Sequence, residues 1–431
     1  MKKYTLIIGL ISIINIGCSS SGISNGELDE SAPTIPANLR VSNVTENSLK
    51  LTWDASTDNV AVSSYSIYKN DVVLRSSRNT TTTITGLNEN TNYSFKVDAR
   101  DAIGNRSDFS NVVSVFTNSS NSTLQTATGN LETYAANLIN AFPGSSGNNY
   151  NSPSNDELSK WTTIVNFILE NKINDAVQQA GTIGYNITEF TDTSLTPNKV
   201  FYILEKKNTS SNHWGVYMFS KTPTIDRLVL MAPHSKYDTN TGKQAVYSFK
   251  NTQAKALLLN GTHRCNSTAS SSCSGTTSAC GSNAAFRISD MAHTTTSMYQ
   301  KTTDILFNKI SNSVFIQLHG FAKKSTDPYV IMSNGTRDTP TVDYAVKIKD
   351  ALLLEDNSLT FKIAHLDTSW TRLIGFTNTQ GRLINNSANP CSTSATSTTG
   401  RFIHIEQEKS KLRNDITGWR KMSDALKRAF N

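Results

Sequence analysis

The chain has 431 residues, 37% apolar and 17% charged, with a formal charge of +7 and a pI near 9.0. At about 150 residues per domain, this length implies two or three domains, and the apolar content suits packed cores rather than a disordered polymer. The charge excess is mild and no basic patch with interleaved aromatics occurs, so no nucleic-acid partner is expected.

In chain order, Met1-Lys2-Lys3 forms a basic start, and Leu6 to Ile16 is an apolar run too short to span a bilayer as a mature helix. Ile16-Gly17-Cys18, followed by three serines, resembles the lipobox of bacterial lipoproteins, although Asn15 stands where that motif commonly has leucine. The resemblance implies a signal peptide over 1–17 and lipidation of Cys18. It also implies a lipid-anchored place in the bacterial cell envelope, in the outer membrane and facing the periplasm or the surface. Membrane contact would then run through the anchor alone, because no later segment is long and apolar enough to cross. Residues 18–31, rich in Ser, Gly, Asn and Glu, read as a tether.

Short alternating segments follow: Leu39 to Val41, Leu49 to Trp53, Ser64 to Tyr68, Thr82 to Leu87, Tyr93 to Ala99 and Val112 to Phe116. Strands at this spacing between turn residues predict a β-sandwich. Pro36-x-x-Leu39-x-Val41, Trp53, Thr85-Gly86-Leu87 and Thr91-x-Tyr93-x-Phe95-x-Val97-x-Ala99 resemble a fibronectin type III module over 32–118. That resemblance makes Tyr93 the corner tyrosine and gives the module a spacing or presenting role. The segment holds no histidine or cysteine, so chemistry is expected elsewhere.

After a polar linker over 119–130, residues 131–431 alternate helix and strand patterns. Helices are expected from Leu131, over Asp156 to Asn171, Thr295 to Ile310, Val342 to Leu354 and Trp419 to Phe430. Strands are expected at Lys199 to Leu204, Trp214 to Phe219, Leu228 to Ala232, Ala256 to Asn260, Val314 to Leu318, Phe361 to Ala364 and Phe402 to Gln407. The fold class is therefore multidomain: an all-β fibronectin type III sandwich followed by an α/β domain with a mainly parallel sheet. Cys265, Cys273, Cys280 and Cys391 lack paired C-x-x-C spacing. Even in number in an exported chain, they read as two disulfides of open connectivity rather than a zinc ribbon.

Histidines cluster after the strand candidates. Pro233-His234 follows one, His263-Arg264 the next, His319-Gly320 a third and His365-x-Asp367 a fourth. Parallel strands would gather these at one sheet edge, where open α/β sheets build their sites. In Phe402 to Glu408 the period of two puts His404, Glu406 and Glu408 on one face. Two imidazoles and a carboxylate with an open fourth position suit a hydrolytic zinc ion, and a separate glutamate suits its water. His263 and His293 are further candidates, whereas His213 beside Trp214 reads as structural.

Ala232-Pro233-His234-Ser235, Leu318-His319-Gly320 and Ile405-Glu406, in that order, resemble the zinc carboxypeptidase and N-formylglutamate amidohydrolase clan. The resemblance implies Zn2+ on His234 and His319, with Glu406 as the catalytic base. The clan's His-x-x-Glu is absent, since Tyr237 stands three residues after His234. Asp238 is the nearest substitute ligand and Asp290 its rival. Arg264 and Arg337 are candidates for holding a carboxylate or a tetrahedral oxyanion. The function expected is hydrolysis of an amide in a peptide, cell-wall (peptidoglycan) or N-acyl amino-acid substrate. The alternative is a non-catalytic adhesion protein with a degenerate hydrolase domain. A serine hydrolase is disfavoured because no Gly-x-Ser-x-Gly elbow occurs.

Overall fold

The computed structural model describes residues 29–118 and 122–431. The signal segment and Cys18 lie outside the described residues.

The first domain is a sandwich of β1 (Ala37–Ser42), β2 (Ser48–Asp54), β3 (Val62–Lys69), β4 (Val72–Ser77), β5 (Thr81–Thr85), β6 (Asn92–Asp101) and β7 (Val113–Phe116). One sheet runs β1-β2-β5 and the other β4-β3-β6-β7. Alternation dictates what is buried: Leu49, Leu51 and Trp53 from β2, and Tyr93, Phe95, Val97 and Ala99 from β6. The Trp53 ring meets Tyr65 edge-on at 5.4 Å. The Tyr93 hydroxyl accepts the Asn88 N–H at 3.0 Å, which is the tyrosine corner. Strand β4 was not expected. Its residues are almost all exposed, so no apolar alternation marks it.

The second domain begins with β8 (Gln125–Gly129), α1 (Leu131–Ala141), α2 (Asn155–Leu169) and α3 (Ile173–Thr182). Strands β9 (Tyr185–Asp192), β10 (Lys199–Lys206), β11 (Val216–Ser220) and β12 (Ile225–Ala232) follow, then α4 (Thr241–Thr252) and β13 (Ala254–Leu259). A small ribbon of β14 (Thr276–Thr277) and β15 (Ala284–Ala285) precedes α5 (Met298–Lys309), β16 (Val314–Phe321) and β17 (Val330–Ser333). The chain closes with α6 (Tyr344–Glu355), β18 (Phe361–Ile363), α7 (Thr379–Ile384), β19 (Phe402–Glu408) and α8 (Ile416–Phe430).

Ten strands form one sheet in the order β18-β17-β19-β16-β12-β13-β11-β10-β9-β8. The sheet is mixed, which corrects the expected mainly parallel arrangement. Its centre is parallel across β13, β12, β16 and β19, but β9, β10 and β11 meander antiparallel and β17 runs antiparallel to β19. The turns after β9 and β10 are too short for the crossover of a dozen or more residues that a parallel neighbour needs.

Both faces of the central strands are covered, which explains their unbroken apolar runs. Leu228, Leu230, Ile316, Leu318, Ile403 and Ile405 pack with α1, α4, α6 and α8. Val229, Met231, Phe315 and Phe402 pack with α2, α3 and α5. Strand β16 extends past its expected end, because pairing with β19 continues from Phe315↔Phe402 to Phe321↔Glu408. His319 is therefore a strand residue and not a loop residue.

Candidate functional site

Parity decides which side chains meet. Gln317 and His319 follow Phe315 at steps of two along β16, and His404 and Glu406 follow Phe402 along β19. Register pairs Gln317 with His404 and His319 with Glu406, so all four share one face near the C-terminal ends of the parallel strands. His234 arrives at the same edge from the end of β12. The chain then turns so that the Asp238 N–H donates to the His234 carbonyl at 2.9 Å. That turn returns the Asp238 carboxylate to His234.

Three groups converge. His234 Nδ1 and His319 Nδ1 lie 3.0 Å apart, and each is 3.5 Å from Asp238 Oδ2. The Gly320 N–H donates to that same oxygen at 3.1 Å. All three side chains are buried. Burial alone would raise the Asp238 carboxyl, but its contacts with both imidazoles outweigh this and hold it well below the usual carboxylate range. Burial depresses His319 to about 4. Burial and the Arg264 charge also push His234 down, yet the two aspartates prevail and its pKa is raised.

Asp290 is on the other side of the His234 ring. Its Oδ1 accepts from His234 Nε2 at 2.8 Å and from His293 Nδ1 at 3.1 Å, while its Oδ2 accepts from Arg264 Nε at 2.9 Å. Burial would raise the Asp290 carboxyl, but Arg264 and the two imidazoles hold it well below the usual carboxylate range. An ionised carboxylate can only accept, so His234 Nε2 carries a proton and its Nδ1 faces His319 and Asp238. This places Asp238 with the converging nitrogens and makes Asp290 an outer carboxylate that orients the imidazole. Two imidazole nitrogens and a carboxylate oxygen converging on one point form a donor set for a cation once the nitrogens are deprotonated, and its composition fits zinc.

Glu406 lies beside this set, with His404 Nε2 3.7 Å from its Oε1. Its Oε2 is buried without a hydrogen-bond partner, as is Nδ1 of His404. Burial, reinforced by the Asp238 charge, pushes the Glu406 carboxyl up to about 8. Among the described residues no arginine pairs with Glu406. Arg413 instead donates to the carbonyls of Gln407 at 3.0 Å and Thr239 at 2.5 Å, which pins the Asp238 turn. A Cβ at Gly320 would collide with that guanidinium and displace it from the carbonyls it holds.

The other expected residues divide. Arg264 is in the site, with its Nη1 3.4 Å from His234 Nδ1 and its guanidinium 5.4 Å from the Tyr237 ring. Arg337 donates to the carbonyls of Ala364, Asp367 and Trp370, so its fork holds a loop rather than joining the cluster. His263 accepts the Cys265 N–H at 3.1 Å and packs on Tyr237 at the rim. His365 pairs with Asp343 at 2.7 Å, beyond the cluster. The cysteines pair as Cys265–Cys280 and Cys273–Cys391. Sequence reasoning passed over Gln317, whose Oε1 lies 2.8 Å from His319 Nε2. Its placement two residues before a site histidine was the available signal.

Comparison with known proteins speaks to the N-terminal sandwich. Residues 31–116 match the fibronectin type III domain family. This segment is a fibronectin type III domain. Chitinase Chi52 of Paenibacillus xylanexedens is 45% identical over 94 residues, which cover 22% of this chain and 18% of that protein. Chitinase A1 of Niallia circulans is 47% identical over 90 residues, covering 21% and 13%. Among solved structures, chitinase ChiA74 from Bacillus thuringiensis is 37% identical, with a TM-score of 0.21, covering 23% of this chain and 15% of that one. This chain thus spans less than a fifth of those curated relatives. The fibronectin domain is homologous to segments of chitinases, an alpha-amylase and an exoglucanase.

Proposed function

We propose that the α/β domain is a zinc-dependent hydrolase of an amide bond in a peptide, cell-wall or N-acyl amino-acid substrate, carried by an exported lipoprotein anchored at Cys18. The observation that supports this most is the convergence of His234, Asp238 and His319 beside a buried glutamate with an unpartnered oxygen. A buried carboxyl oxygen left without a hydrogen-bond partner costs about 1–3 kcal/mol, a cost that a role in chemistry would account for. A purely adhesive protein has no need of it. Two disulfides suit an oxidising compartment, which supports export. Among the three substrate classes, the cell-wall amide draws support from the fibronectin domain, whose homologues occur in proteins named chitinases.

His234, His319 and Asp238 would hold the zinc. When bound, it supplies a water acidic enough to ionise near neutral pH and a Lewis acid for the carbonyl. In its ionised form, which a cation bound alongside would favour, Glu406 accepts the proton of the attacking water at its free Oε2 and delivers it to the leaving nitrogen. Arg264, anchored on Asp290, turns its remaining donors toward the oxygen that becomes negative. The test is elemental analysis of the purified full chain. The wild type should hold one zinc, and His319→Ala should lose both zinc and amide hydrolysis. A wild type that takes up no metal would remove the enzyme reading in favour of adhesion.

A further inference from the structure

Behind His319 lies a buried row of amide side chains whose hydrogen bonds have a definite direction. Gln317 Oε1 is 2.8 Å from His319 Nε2, and Gln317 Nε2 is 3.0 Å from Gln380 Oε1. An amide can offer a ring nitrogen either its oxygen or its NH2, and only the oxygen obliges the ring nitrogen to donate. Two independent anchors decide which it is.

The first anchor is the Met291 carbonyl, 2.7 Å from Gln380 Nε2. A carbonyl only accepts, so Gln380 must present its nitrogen there and its oxygen to Gln317. Gln317 then answers with its own nitrogen and leaves its oxygen for His319. The second anchor is the start of α7. Asn378 Oδ1 accepts the main-chain N–H groups of Gln380 at 3.1 Å and Gly381 at 3.0 Å, and these groups only donate. Asn378 therefore turns its NH2 to Gln317, and the atom it meets there is again Oε1. Gln317 and Gln380 are fully buried and Asn378 nearly so, which shields the arrangement from exchange with water.

We infer that Gln317 is a positioning residue that locks His319 in the Nε2–H tautomer, so that its Nδ1 lone pair faces His234 and Asp238. The inference rests on the zinc reading for its purpose, since the other tautomer would put a proton where the ion belongs. The two imidazoles are thus fixed by different means. His234 leans on a charged carboxylate, whereas His319 leans on a neutral amide, which orients the ring without adding another negative charge to a buried site.

The experiment is 15N NMR of histidine-labelled full chain, with His319 assigned by its absence in His319→Ala, without metal and with Zn2+ added. Wild-type His319 should show a protonated Nε2 in both states, with Zn2+ on Nδ1. Gln317→Met, which fills the space but accepts nothing, should mix the tautomers and weaken Zn2+ binding about 10–100-fold, as loss of an outer partner typically does. Gln317→Glu keeps an acceptor oxygen and should recover most of that affinity. A wild-type His319 protonated on Nδ1, or Zn2+ bound through Nε2, overturns the inference. So does a folded Gln317→Met with wild-type zinc affinity. If Gln317→Met fails to fold, the wild-type spectrum decides alone. If the wild type binds no zinc, the hydrolase reading fails, but the metal-free spectrum still decides the tautomer.

Discussion

Glu406→Gln should slow turnover and, in the metal-free protein, stabilise the fold at neutral pH. Burial with the nearby Asp238 charge carries the Glu406 carboxyl from 4.5 to about 8. A folded pKa above the unfolded one means that the native state holds the proton more tightly. The favourable contribution is then complete below the unfolded value and is lost as pH rises through the folded one. The slope is at most about 1.4 kcal/mol per pH unit, so from about pH 5 to about pH 7 the wild type gives up roughly 3 kcal/mol that the variant retains. His319 acts in the opposite sense: its folded value near 4 makes its contribution full above its unfolded 6.5 and lost as pH falls through 4. The Glu406 effect therefore has to be read as wild type minus variant. Urea unfolding of both proteins in chelator across that range should show a gap that widens with pH. With zinc restored, the variant should keep its metal and lose about 10²–10⁴-fold in turnover, because an amide cannot take the proton. A stability gap that stays constant with pH would refute the buried, unpaired carboxyl.

The disulfides should differ in worth because they close loops of different length, 118 residues for Cys273–Cys391 and 15 for Cys265–Cys280. In the chain-entropy view Cys273→Ser should cost about 5 kcal/mol and Cys265→Ser about 3, and denaturant titration giving the reverse order would contradict it. Cys18→Ser should move the protein from membrane to soluble fractions on cell fractionation, and unchanged partitioning would remove the lipid anchor.

The fibronectin domain was legible residue by residue, because an alternating strand records its burial with a period of two and its turns carry their own chemistry. The exception was β4, where exposure erases the period. In the second domain the buried strands announced themselves as apolar runs, and the histidines at their ends were visible as a set. Helix α4 escaped notice because polar Thr241, Gln244, Ser248, Lys250 and Thr252 are buried along with bunched Ala245, Val246 and Phe249, so no apolar period marks its buried faces. Sequence put Asp238 ahead of Asp290 as the third ligand on its nearness to His234 in the chain alone. Only the fold put one beside Nδ1 of His234 and the other beside Nε2. Arg264 and Arg337 were equal candidates for holding a carboxylate or an oxyanion, and their partners alone separated them. Four cysteines allow three pairings, and the choice belonged to the folded loops. The amide row behind His319 joins residues 61 and 63 positions apart, so no local pattern could reveal it. Sequence determined which chemically capable side chains this chain holds and near which strands, because residue types and short periods are local. The direction in which each lone pair points was decided by contacts between distant segments.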